Sequence, residues 1–116
     1  MERIITIDGR QVKFKSTGAF LLRYKSQFHR DALQDIFKLQ DAIDLDTNAI
    51  KNIEALNLEI FYDLVWTLAK TADTTIDPPL EWLDTFNEFP LMDIVPQVMD
   101  LIFSCLSSST ASKKKV

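Results

Sequence analysis

Residues 58–72 constrain the fold more than any other stretch. Phe61, Leu64, Val65, Leu68 and Ala72 recur three and four apart, and Leu58, Tyr62, Trp66 and Ala69 form a second apolar row beside them. Rows spaced this way lie on adjacent faces of one helix. Only Glu59, Asp63, Thr67 and Lys70 interrupt them, again at helical spacing. A helix with so narrow a wet face belongs in the middle of a domain, so other elements must cover it on nearly every side.

Those elements can be read on either side of it. Arg3-Ile4-Ile5-Thr6-Ile7 is short and β-branched, Asp8-Gly9 follows, and Gln11-Val12-Lys13-Phe14-Lys15 alternates polar and apolar residues. Asp-Gly between two such runs signals a hairpin, because both central residues of a type I′ turn need positive φ. Val12 and Phe14 then share a face that must pack on a helix, since two strands alone are marginal. Ser16 or Thr17 offers an N-cap, and Phe20, Tyr24 and Phe28 follow at helical spacing. A second pattern runs from Asp31 through Leu33, Ile36, Phe37, Gln40 and Ile43, either continuing the first helix or separated from it near His29.

Residues 44–57 are polar and read as a surface connection with room for one helical turn. After the central helix, 73–77 read as a loop, and Asp77-Pro78 reads as a helix start with Asp77 at the N-cap. That short helix carries Leu80, Leu83 and Phe86 with Trp82 beside them, and ends before Pro90. A last helix begins between Leu91 and Pro96 and keeps a polar line of Asp93, Gln97, Asp100 and Ser104. The expectation is an α+β domain, mainly α, over residues 1–106, with the N-terminal hairpin packed on a bundle of about four or five helices. Residues 107–116 read as a disordered polar tail.

Charge is uneven along the chain. Residues 1–38 hold eight Lys/Arg against four acids, residues 39–112 hold two against thirteen, and Lys113, Lys114 and Lys115 close the chain. This pattern fits a basic face for an acidic partner, or two halves that attract each other. Scattered basic residues on an acidic whole argue against nucleic acid. Cys105 is the only cysteine, no secretory leader is visible, and no run approaches the ~20 apolar residues of a membrane span. A soluble cytoplasmic protein without membrane contact is the expectation.

Little in the chain suggests chemistry. His29 is the only histidine and lacks partners at matched spacing for acid–base work or a metal. Cys105 lies between Phe103 and Leu106 on an apolar helix rather than in an electropositive setting. Asp41, Asp44 and Asp46 lack the glycine and closing glutamate of a calcium loop, and Gly9 and Gly18 cannot make a phosphate cradle. No enzyme activity, metal or cofactor is expected. What remains is apolar surface: Trp82, Phe86, Phe89, Met92, Met99 and Phe103 are candidate partner-binding residues. A tight bundle that buries them all, or self-association, would cover the same surface.

Two stretches carry a family resemblance. Trp66-Thr67-Leu68-Ala69-Lys70-Thr71-Ala72-Asp73, then Pro79-Leu80-Glu81-Trp82-Leu83-Asp84 with Phe86 and Phe89-Pro90, resembles the phage tail assembly chaperones of Gram-positive siphophages and prophages. The front end is similar too, through Ile4–Phe14 around Asp8-Gly9, Thr17-Gly18-Ala19, Leu22-Arg23-Tyr24-Lys25 and Gln27-Phe28. The likeness spans nearly the whole chain apart from 44–57 and the tail; one departure is His29, where the family pattern has glycine. The resemblance implies a chaperone for virion morphogenesis that binds the tape measure protein, keeps it soluble, and helps recruit the major tail protein around it. It implies action in the host cytoplasm rather than in the mature virion. The alternative is a small helical adaptor or regulatory protein with one defined partner.

Overall fold

The computed structural model describes residues 1–39, 41–44, 47, 51, 52, 54, 57–91 and 93–103. Strands β1 (Glu2–Ile7) and β2 (Arg10–Lys15) pair antiparallel, with Ile7 opposite Arg10 and Ile5 opposite Val12. Asp8 and Gly9 both take positive φ, 53° and 75°, as a two-residue type I′ connection requires. Ile5, Ile7 and Phe14 are buried, and α3 packs against β2, so the hairpin's apolar face rests on a helix as the alternation predicts.

Four helices follow: α1 (Phe20–Phe28), α2 (Ala32–Leu39), α3 (Leu58–Ala72) and α4 (Pro79–Asp84). A fifth, α5, runs through residues 93–103. The fold is thus α+β and mainly α, a hairpin on five helices among the described residues. One core joins Phe14 and Ile7 to Phe20, Ile36, Phe61, Leu64, Leu68 and the inner face of α5.

Several boundaries differ from the sequence reading. The first helix starts at Phe20 with Ala19 at its N-cap; Ser16 and Thr17 do not cap it, and the Thr17 hydroxyl instead accepts from the Ala19 N–H. Of the two alternatives left open near His29, the chain takes the break between α1 and α2: His29 turns left-handed at φ 59°, ψ 29° and its N–H closes on the Lys25 carbonyl. Asp31 then accepts from the Leu33 N–H at 2.9 Å and opens α2. That helix ends at Leu39, and the buried Ala42 and Ile43 follow in a turn that bonds back to the Leu39 carbonyl. At α4 the N-cap is Pro78, not Asp77, and Pro79 takes the first turn. Pro96 lies inside α5. The tail after 103, Cys105, Met92 and most of 45–56 lie outside the described residues.

The left-handed turn at His29 has an energetic cost. A left-handed C-cap is the position where glycine has no Cβ penalty, whereas an L side chain is strained by about 1 kcal/mol. His29→Gly should therefore raise the unfolding free energy by up to about 1 kcal/mol. A urea titration of both proteins checks this; a lower midpoint for the variant would mean the imidazole contributes more than the strain costs.

Candidate interaction surface

The central helix α3 begins on Asn57, whose side chain accepts from the Ile60 N–H. Its polar line is not the wet face it reads as in sequence. Thr67 is fully buried and returns its hydroxyl to the Asp63 carbonyl, and the Asp63 side chain is largely enclosed. Asp63 faces Arg30, from the α1–α2 junction. Arg30 donates through Nε to Asp35 at 2.9 Å, through Nη2 to Asp63 and to the Tyr24 hydroxyl, and lies 3.5 Å from Glu59. Tyr24 in turn donates to Asp35, which is buried on α2. One guanidinium thus ties three helices together.

Three carboxylates share that guanidinium, with Lys38 3.8 Å from Asp35 on the outer side. Burial, and then the hydrogen bond to Asp35, hold the Tyr24 phenol above its ordinary value. The Asp63 carboxyl is held above the usual carboxylate range chiefly by burial. The Arg30 hydrogen bond opposes this, while the charges of Glu59 and Asp35 add to it. Because the folded value exceeds the unfolded one of about 4, the folded state holds this proton more tightly. Asp63's contribution is therefore complete below about pH 4 and is lost as pH rises through the folded value. Asp63→Asn should lose that pH dependence. On acidification from about pH 7 to about pH 4.5 the parent's urea midpoint should rise relative to the variant's; a relative fall would refute the assignment.

The segment after α3 is held by its own polar contacts. Lys70 Nζ donates to the carbonyls of Thr74 and Ile76, and Trp66 Nε1 donates to the Asp77 carbonyl at 2.9 Å. Asp73 accepts from the backbone and hydroxyl of Thr75, which holds its carboxyl below the ordinary range. Trp82 of α4 and the following Phe86 and Phe89 meet edge to face, with Tyr62 against Phe89. The hairpin tip closes over this cluster. The Arg10 guanidinium stacks 3.8 Å above the Phe86 ring and reaches Thr85, and Asp8 accepts from the Asn87 N–H.

The residues expected to bind a partner are mostly interior. Trp82 and Phe86 are 6% and 7% exposed and Met99 is fully buried, so as contact residues they are corrected to core. Phe89 and Phe103 are half-buried, and Met92 lies outside the described residues. A six-residue helix has too few turns for periodicity to say which side faces in, and Trp82 rather than Leu80 is the one that does.

The apolar side chains that do reach solvent lie elsewhere. Leu22 is 74% and Leu80 70% exposed, with Phe37, Leu58, Ile4 and Met1 also outside. Leu22 borders a hollow of about 390 Å³ between α1 and α3, walled by Ala19, Arg23, Ser26 and Gln27 on one side and by Trp66 and Lys70 on the other. An apolar rim with two cations can receive an apolar side chain flanked by a carboxylate. No periodicity argument could find Leu22, because its neighbour Leu21 fits the helical stripe equally well.

No family model, curated protein or solved structure matches the chain. Among the described residues, no group of three or more His, Cys, Asp or Glu is arranged to hold a metal ion, and no helix is long and apolar enough to cross a membrane.

Proposed function

We propose that this chain is a phage tail assembly chaperone, which binds the tape measure protein in the host cytoplasm, keeps it soluble and assists assembly of the tail tube. The observation that carries this reading is the set of large apolar side chains left outside an acidic body, Leu22 and Leu80 foremost. Burial of apolar area is non-directional, so such a surface suits a long client whose sequence varies along its length. The work asked of the protein is binding, with no bond made or broken.

The resemblance supports the same reading. Trp66 and Lys70 of its first C-terminal stretch bond the carbonyls of Asp77, Thr74 and Ile76 in the loop that leads to the second, and its front end meets the second through Arg10 on Phe86 and Asp8 on Asn87. Residues that look scattered in sequence are therefore one packed unit. Co-expression with a tape measure protein encoded beside it is the test. The client should become soluble and co-purify with the chain. Equal insolubility with and without the chain, and no complex, would sink the reading in favour of an adaptor with another partner.

A further inference from the structure

A trough of about 560 Å³ runs between β2 and the end of α3. Val12, Ala69, Ala72, Ile76 and Trp82 supply its apolar lining. Arg10, Gln11, Val12 and Lys13 all border it, although successive strand residues point to opposite faces of a sheet. The trough therefore follows the edge of β2 rather than one face.

That edge is open. The Ser16 N–H donates to the Met1 carbonyl at 2.9 Å, and hydrogen-bonded pairs alternate along an antiparallel ladder. Counting by twos in the register makes Arg3–Phe14, Ile5–Val12 and Ile7–Arg10 the bonded pairs. The N–H and C=O groups of Gln11 and Lys13 consequently point away from β1. Among the described residues, neither has a backbone partner there.

We propose that this trough takes an extended segment of a partner protein, alternately acidic and apolar, which adds to β2 as a third strand. The free main-chain groups of Gln11 and Lys13 supply hydrogen bonds, and the apolar lining takes every second side chain of the incoming strand. Charge selects its other side chains. Lys13 borders the trough without an ion-pair partner among the described residues, and Arg10, its guanidinium stacked on Phe86, lies beside it, while the Asp73 carboxylate is turned to Thr75. Lysine on an open edge also disfavours pairing with the same strand of a second copy, where like charges would meet. A helical segment cannot use the edge, since its own backbone groups are already satisfied. This inference does not rest on the chaperone reading.

The test uses the full chain, labelled for NMR, and a capped heptapeptide of alternating glutamate and valine. Amide exchange at Gln11 and Lys13 should slow by about tenfold or more at saturating peptide. N-methylating alternate peptide amides blocks one edge of the peptide only. One methylated set should weaken binding about tenfold or more, and the other should leave it nearly unchanged. Lys13→Pro should abolish binding while the hairpin persists, because this N–H takes no part in the β1–β2 ladder. Lys13→Glu should also weaken the acidic peptide, which keeps the test valid if the proline variant unfolds. Equal binding of both methylated peptides, unchanged exchange at Gln11 and Lys13 at millimolar peptide, or equal binding of a helix-forming peptide would overturn the proposal. So would edge amides already protected in a dimer of the free protein, which would mean that a second copy occupies the edge.

Discussion

Arg30→Met should lower the unfolding free energy by about 3–5 kcal/mol, the usual cost of stripping one partner from an enclosed ion cluster. The loss leaves Asp35 and Asp63 facing each other with little solvent, since their side chains are 3% and 13% exposed. It also removes a donor to the Tyr24 hydroxyl. Against a total of about 5–15 kcal/mol for a domain of this kind, that is a large share of the stability. Urea unfolding followed by circular dichroism measures it. Replacing Asp35 and Asp63 by leucine in the same variant should recover part of the loss, because the charges then have nothing left to answer. A loss below about 1 kcal/mol would mean that water screens the cluster as it screens a surface pair.

Trp82→Ala should cost a similar amount, about 3–5 kcal/mol, through lost burial and a cavity among rigid rings. Trp82 sits 5.1 Å from Phe86 and 6.0 Å from Phe89, centroid to centroid, and Phe86 carries the stacked Arg10 above it. The ring therefore holds both α4 and the docked hairpin tip. Leu80→Ala, two residues earlier on the outer side of the same helix, should change stability by less than about 0.5 kcal/mol. Comparing the two by urea midpoint separates the core side of α4 from its outer side. If both variants were equally stable, Trp82 would be a surface residue and the assignment of α4's inner face would be reversed.

Local patterns were legible where one short stretch carried the whole instruction. Asp8-Gly9 demands positive φ and thereby sets the hairpin register, and the double apolar row of Leu58–Ala72 makes α3 central without reference to any other element. The polar line of α3 was not legible in the same way. Asp63 looks solvated until Arg30, thirty-three residues earlier, is brought across it. The break at His29 was equally hidden, because helical spacing continues through it and only a backbone angle interrupts the helix. For the interaction surface the difficulty was one of kind. Hydrophobicity marks what can bind and what must be buried alike, and Trp82, Phe86 and Met99 were drawn inward by partners that no local window contains. Leu22 and Leu80 were left outside for the same non-local reason.

The most direct measurement is the amount of soluble tape measure protein recovered when it is co-expressed with the chain and with Leu22→Asp/Leu80→Asp. Both positions are exposed, so the double variant should fold with an unchanged urea midpoint, within about 0.5 kcal/mol per site. The parent should keep the client soluble, and the folded variant should lose most of that effect. A folded variant that holds the client as well as the parent would contradict this, and would place the client on some other face of the molecule.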